Sequence, residues 1–420
     1  MKELEHLKRL SAVRSNGGIK FLSPAAFPGS HCPMHTALVV TRSIRGLSSL
    51  VVGMPECTTY SRFVIPRAEG KQGELHRLYV LESREVVFGC RAGLTEAVRQ
   101  MAGAGARYLM IIATCVPELT GEDMEGMLRE MGEVPARLSF VFTGHFKCNS
   151  YPQGYWKTFR ALGSFMKAKK RDPRRVNVLG RGPGENQAMP ALLGLLEQKG
   201  FRLRFLGQGA PVEHFVEAPD AALNLVLSPY TGPLAAMMAE SFGIPSVALH
   251  DVYGIAAIDR AYDAIAEKLG SPWGDAFRGE RQEALLWQER LAAGINGLRG
   301  VFAPLGAVMP LPLAVYLAGF GFRPLLLHLE EFYPADTGYA EELRALGFDP
   351  PVCHMVNYQR DTALLEALSP DLCLGQVPGR GKIPSVPGIQ NLYARFGYER
   401  VCRLGETILT AAPQPDQKGG

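Results

Sequence analysis

The chain has 420 residues, 47% of them hydrophobic and 20% charged, which allows two or three domains with buried cores and excludes bulk disorder. A formal net charge of +4 and a pI near 8.6 are too mild to point to nucleic acid. No apolar run reaches the ~20 residues that a membrane span requires.

The N-terminal MKELEHLKRL reads as a charged amphipathic stretch rather than a signal peptide, so the expected address is the cytoplasm. Thiols stay reduced there, and eight cysteines read as ligands, catalysts or core residues rather than as a disulfide framework. Cys32 stands directly before Pro33, which can open a helix. Cys57 follows a short apolar strand and a Gly-Met-Pro turn. Leu94, Ala97, Val98 and Met101 recur at helical spacing, and Gly103 and Gly105 stop that helix. RYLMIIATC (107–115) reads as a buried strand ending at Cys115. Thr120, Gly121, Glu122 and Asp123 then resemble a capping box for the next helix, and LSFVFTG (138–144) supplies another strand.

KAKKRDPRR (167–175) reads as a solvated linker. A second group of units follows: VNVLG (176–180), a helix over 188–199, FRLRFLG (201–207), LNLVLS (223–228), the helix AAMMAESFG and the strand IPSVALH. A polar, mostly helical stretch over 255–295 leads to a third group: GVFAPLG (300–306), a helix over 309–319, PLLLHLE (324–330), DLCLG (371–375) and a terminal helix. Strands alternating with helices indicate an α/β chain. The pattern predicts three Rossmann-like domains with parallel sheets flanked by helices and a cleft between them. Their expected bounds are 1–170, 171–295 and 296–410, with a flexible tail at 411–420.

Sites in open parallel sheets lie at the carboxyl ends of the strands. Cys115 is expected there, Cys57 follows its strand by a short turn, and Cys32 sits at a helix entrance that favours thiolate. Sulfur ligands select iron–sulfur clusters, zinc or copper(I). The intervals between the three cysteines are too long for a zinc ribbon and unlike the compact ferredoxin run. On the residues alone, convergent soft ligands and three unrelated core or redox cysteines are both open.

Gly53-Met-Pro-Glu-Cys57-Thr-Thr-Tyr60-Ser61-Arg62, the Thr114-Cys115 pair with Gly121-Glu122-Asp123 beyond it, and a first cysteine followed by a helix resemble the nitrogenase component 1 superfamily. EVVFG (85–89), FKCNSYPQGYWKTFRAL and RFGYERVCRLGETIL (395–409) are similar to further segments of it, so the resemblance runs from roughly 25 to 410. That superfamily includes nitrogenase, its cofactor-assembly scaffolds and dark-operative protochlorophyllide reductase. The resemblance implies that Cys32, Cys57 and Cys115 ligate an iron–sulfur cluster at a subunit interface, either 4Fe-4S or P-cluster-like and shared with a partner chain. It further implies a related component 1 subunit as partner, in a homodimer or a heterotetramer, and a separate ATP-dependent iron protein as electron donor, since no Gly-x-x-x-x-Gly-Lys-Ser/Thr motif occurs here. The expected substrate is a small molecule or tetrapyrrole-like, with no nucleic acid and no membrane involved.

The sequence departs from the nitrogenase catalytic subunit at the cofactor anchors. Ser228 stands where that subunit's cysteine anchor aligns, and no histidine occurs after His354, so no nitrogenase-type iron–molybdenum cofactor is expected. His35 and His145 are possible second-shell groups, and Ser228 a cleft group. His31, Tyr230, Arg181 and Tyr398 are further candidates near the cluster or cleft, and Cys90 and Cys148 sit at turn positions. Cys353, Cys373 and Cys402 read as core, and Glu122 and Asp123 as groups serving a helix start. Gly180-Arg-Gly182-Pro-Gly184 lacks the full dinucleotide fingerprint. An electron-transferring oxidoreductase subunit, a cofactor-assembly scaffold without turnover, and a two-nucleotide-fold transferase or binding protein are the readings carried forward.

Overall fold

The computed structural model describes residues 4–23, 32–57, 73–147, 151–183, 189–304, 306–355, 358–375 and 383–413. Two short strands, β1 (Lys8–Arg9) and β2 (Lys20–Phe21), precede helix α1 (Pro33–Ser43). Pro33 occupies the first turn of α1, where its missing N–H costs nothing, and Cys32 is the extended N-cap. The first sheet follows in chain order as β3 (Leu47–Gly53), β4 (His76–Val80), α2 (Ser83–Phe88), α3 (Arg91–Gly103), β5 (Tyr108–Ala113), α4 (Cys115–Thr120), α5 (Met124–Glu130) and β6 (Arg137–Phe142). Its strands run parallel in the order β4-β3-β5-β6. β3 is buried along its whole length, as expected for a strand covered on both faces.

Helix α6 (Pro152–Ala161) crosses to the second sheet, which comprises β7 (Asp172–Leu179), α7 (Ala191–Gln198), β8 (Arg202–Leu206), α8 (Val212–Glu217), β9 (Ala221–Val226), α9 (Gly232–Phe242) and β10 (Ser246–Ala248). It is parallel in the order β10-β9-β7-β8. Helices α10 (Ile255–Leu269) and α11 (Arg278–Ile295) lead to β11 (Arg299–Ala303), α12 (Pro310–Ala318), β12 (Arg323–His328), α13 (Asp336–Ala345), β13 (Pro351–His354), α14 (Tyr358–Ala367), β14 (Leu372–Gly375) and α15 (Tyr398–Ala411). The third sheet has the order β1-β13-β12-β11-β14, with β2 also on β13.

Several expectations change here. The N-terminal stretch is part of the third sheet: β1 pairs antiparallel and β2 parallel with β13. β13 itself, PVCH, is too short to show a period in the sequence. β7 begins at Asp172, so the last four residues of the basic stretch taken for a linker are strand. Cys115 does not end its strand; it is the first residue of α4, after Thr114 as N-cap. The cap of α5 is Asp123, whose carboxylate accepts from the Gly126 amide at 2.8 Å, while Thr120 closes the preceding helix. The carboxylate of Glu122 accepts from the Cys90 amide at 3.1 Å instead of serving that helix.

One core joins α1, α6 and α9 to the facing strands of the first two sheets. Gly154 makes the contact between α1 and α6 possible, because a Cβ there would lie 1.9 Å from the Pro33 carbonyl oxygen and 2.1 Å from Thr36 Oγ1. The backbone of Pro33 cannot move aside without shifting Cys32. We predict that Gly154→Ala destabilises the chain by about 1–3 kcal/mol through overpacking. In contrast, Gly194→Ala on α7, where a Cβ meets nothing within 4 Å, should be neutral or stabilising by up to about 1 kcal/mol. Thermal unfolding of the two variants checks the pair.

Candidate functional site

All seven described cysteines are free thiols, and three of them stand at one edge of the first sheet. Cys32 caps α1, Cys57 follows β3 by a turn, and Cys115 opens α4 directly beyond β5, the neighbour of β3. Parallel strands β3 and β5 present their carboxyl ends together, which is why residues so distant in sequence share this edge. All three cysteines are partly exposed, and Cys32 and Cys57 pack against the common core of α1 and β3.

Burial pushes the Cys32 thiol above its ordinary value, and the neighbouring charges of Cys115 and Cys57 push the same way. The amides of Met34 and His35 donate toward its sulfur and oppose the rise. Cys115 is likewise raised, chiefly by burial, with Cys57 adding to the shift and the His145 amide opposing it. The ring of His145 also faces this thiol, with Nδ1 2.8 Å from Cys115 Sγ. The three thiols therefore lie within electrostatic reach of one another, and two of them have amide donors aimed at sulfur, an arrangement that favours anionic sulfur once a metal replaces the protons.

Thr114 and Gly53 form the floor between these cysteines. The Thr114 hydroxyl donates to the Val52 carbonyl at 2.8 Å and lies 3.9 Å from Cys57 Sγ. A Cβ on Gly53 would meet Thr114 Oγ1 at 2.4 Å and Cys57 Sγ at 2.9 Å. Gly144 plays a similar part on the other side, its amide donating to Glu118 at 2.6 Å and its Cα facing the backbone of Cys115. Sequence reasoning met Gly53 and Thr114 only inside the resembling motifs and Gly144 only at a strand end, and gave none of them a role; the glycines at the ends of β3 and β6, the two strands flanking β5, were the available signal. Among the described residues no three His, Cys, Asp or Glu side chains are grouped tightly enough to hold a single metal ion. A multi-iron cluster asks for something else, because each thiolate binds its own iron. The donor set, its spread along one edge and the amides directed at sulfur fit such a group.

A second feature lies at the junction of the three sheets. A cavity of about 390 Å³ is lined by Val39, Val40 and Ser43 of α1, by Tyr155 and Phe159 of α6, by the ends of β7, β8 and β9, and by Gly306, Ala307, Gln390 and Asn391. Ser228 and Tyr230 both line it, and the Ser228 hydroxyl accepts from the Tyr230 amide at 3.3 Å. Tyr155 and Tyr230 stack with ring centroids 4.6 Å apart and planes 14° from parallel. Helix α1 thus runs from the cysteine edge at Cys32 to this cavity at Ser43.

The remaining candidates divide. His35, lowered by burial, packs its ring on Tyr151 at 5.9 Å. Arg181 and Tyr398 do not line the cavity: Arg181 is buried and acts on Glu399, and Tyr398 donates to Asp259 at 2.5 Å. Cys90 is buried at the start of α3 with its thiol pushed up to about 12, first by burial. Cys353 and Cys373 are core residues, whereas Cys402 is partly exposed on α15. His354 lies within β13, its ring 5.1 Å from that of His328. His31, Cys148, Gly184 and Tyr60 to Arg62 fall outside the described residues.

The family model described as nitrogenase component 1 type oxidoreductase matches residues 32–412. The nitrogenase iron-iron protein beta chain of Rhodobacter capsulatus is 23% identical over 89% of this chain and 89% of its own length. A nitrogenase molybdenum-iron protein beta chain of Methanothermobacter thermautotrophicus is 27% identical over 139 residues, 33% of this chain and 30% of that one. Among solved structures, nitrogenase Cp1 at pH 6.5 superposes with a TM-score of 0.71 at 16% identity, covering 93% of both chains. At that identity the likeness speaks for the fold. The mixed α/β architecture with parallel sheets flanked by helices is the one it shares with that structure.

The cradle gives a prediction that removes no cysteine. Gly53→Ala should displace Cys57 or Thr114 and lower the iron bound per chain, while the far-ultraviolet circular dichroism stays that of the wild type. Iron assay of the anaerobically purified variant checks it, and full iron content would show that the floor does not set the site.

Proposed function

The chain belongs to the nitrogenase component 1 type oxidoreductase family, and we propose that it is a subunit carrying an interface iron–sulfur cluster on Cys32, Cys57 and Cys115. In this reading it accepts low-potential electrons from an ATP-dependent iron protein and delivers them to a substrate in the cavity between the sheets. The observation that carries the reading is the gathering of three thiols at one sheet edge, joined to the cavity by a single helix, α1. An iron–sulfur cluster, when bound, supplies low-potential one-electron storage.

The residues of the chain do the rest. Cys32, Cys57 and Cys115 hold the group, and the amides of Met34, His35 and His145 direct dipoles at the sulfurs. Thr114 and Gly53 set the spacing of Cys57. The His145 ring, at hydrogen-bonding distance from Cys115 Sγ, can take the thiol proton as the site loads. At the far end of α1, Tyr155, Phe159 and Tyr230 keep water from the reacting molecule.

Three thiolates leave such a cluster incomplete, and the surroundings of the site support a partner that completes it. Val87, Phe88, Leu119 and Phe146 are exposed large apolar side chains, with Phe88 at 88% exposure. Leu119 shares α4 with Cys115, Phe146 follows His145, and α2 packs on α4. An apolar surface beside the thiols is what a subunit interface needs, and a related component 1 chain is the proposed occupant. Ser228 carries the negative part of the reading: its hydroxyl is not deprotonated at neutral pH and bonds iron–sulfide weakly, so no nitrogenase-type iron–molybdenum cofactor is anchored there.

Replacing Cys32, Cys57 or Cys115 singly by alanine should remove iron and the visible absorption of the anaerobic complex. The same change at Cys373, a core residue of the third sheet, should keep the iron and cost roughly 1–2 kcal/mol in packing. Equal iron loss at all four positions would overturn the ligand assignment. Reoxidation of the reduced wild-type complex on adding substrate separates an enzyme from an assembly scaffold.

A further inference from the structure

The lining of the cavity between the three sheets names the kind of molecule it accepts. None of its described lining residues is Asp, Glu, Lys, Arg or His. Interdomain surface in this protein is not uncharged in general, since a neighbouring cavity of about 550 Å³ carries Arg160, Glu240, His250 and Asp251. The neutral lining belongs to this cavity in particular.

Its polarity is graded. The inner wall is aromatic, with buried Tyr230 stacked on half-buried Tyr155 and backed by Phe159. Ser228 is buried beside them; its oxygen accepts from the Tyr230 amide, which leaves its proton and one lone pair to offer a ligand. The outer wall carries amide side chains, exposed Gln208 and Asn391 and half-buried Gln390, each able both to donate and to accept.

An anion is disfavoured twice. No described lining residue is a cation that could receive it, and two carboxyl groups behind the wall, each only partly ionised at neutral pH, add repulsion and no attraction. Glu330 accepts from the amide of Gly306, a lining residue, at 3.2 Å. Burial raises both Tyr155 and Tyr230 first, and Glu330 raises each of them further, as Glu331 does Tyr230. A cation fares little better: Glu330 and Glu331 are themselves pushed up to about 7, first by burial, so neither is a full counter-charge at neutral pH. A buried charge without a partner is costly, whereas a neutral polar molecule needs only the amides and hydroxyl already present.

Resting on the reading of this cavity as the substrate site, we propose that it takes a planar, uncharged organic molecule with hydrogen-bonding atoms on its rim. The ring lies against the Tyr155–Tyr230 stack, and the rim meets Ser228 and the amides of Gln208 and Gln390. A volume of about 390 Å³ holds about one to three fused rings.

Equilibrium dialysis of the anaerobically purified complex tests this with two probes of one shape, neutral methoxycoumarin and its carboxylate. The neutral probe should bind saturably and about tenfold or more tighter than the anion. Ala307→Trp, which fills the cavity, should abolish saturable binding. Gln208→Lys, which sets a cation at the exposed rim, should raise the affinity for the carboxylate relative to the neutral probe by about threefold or more. Equal or tighter binding of the anion to the wild type, absence of saturable neutral binding, or indifference of both probes to both variants would overturn the proposal. Iron content is measured on every sample, so loss of the cluster, which bears on the proposed function, is told apart from a wrong ligand class.

Discussion

The contact between α1 and α6 is the constraint on which the rest depends. Gly154 lets the two helices approach until its Cα faces the Pro33 carbonyl, and the Thr36 hydroxyl donates across the joint to the Tyr151 carbonyl at 2.7 Å. At the far end, α1 is tied to the second sheet through backbone bonds from Gly209 to Ser43 and from Arg45 to Ala210, at 2.8 and 2.9 Å. A helix of 11 residues is about 16 Å long. Fixed at both ends, it holds Cys32 at the sheet edge and Val39, Val40 and Ser43 at the cavity. The separation of the two sites is thereby built into one rigid element.

The second unifying feature is how charge is managed at each end. At the cysteine edge, burial works against thiolate, and amide dipoles work for it. In the proposed reading, these opposing effects at Cys32 and Cys115 hold until a metal displaces the protons. At the cavity, the described lining carries no charge, and the carboxyl groups behind it, Glu330 and Glu331, are pushed toward their neutral form by burial. In the proposed reading, one end takes an anionic inorganic group and the other a neutral organic one, a division of labour suited to a chain that relays electrons.

Much of this was legible in the sequence. Long apolar strands such as 107–113 and the helices carrying Leu94 or the terminal Gly-Tyr segment follow from period alone, and so does the α/β class. The placing of Cys32, Cys57 and Cys115 at turns and helix entrances was legible, while their reading as joint ligands came from the family resemblance and not from the residues alone. The rest was hidden for physical reasons. β1, β2 and β13 have 2 to 4 residues, too few to show alternation, and their pairing is set by the third sheet rather than by their own residues. Thr114, Gly53 and Gly144 act through spacing that only the paired strand ends reveal. Tyr155 lies on helix α6 and Tyr230 in the turn beyond β9, and nothing local to either predicts the stack. Arg181 and Tyr398 have chemistry that suits a cleft, yet neither lines this cavity: Arg181 is buried beyond β7, and Tyr398 donates to Asp259.

The most direct measurement is an iron anomalous-difference map from crystals of the anaerobically prepared assembly. The account predicts a compact group of iron peaks bonded to the sulfurs of Cys32, Cys57 and Cys115, closed on its remaining side by a partner chain, and no metal peak at Ser228. Iron bound elsewhere, or ordered sulfurs at these three cysteines with no iron beside them in an assembly that is otherwise intact, would contradict it.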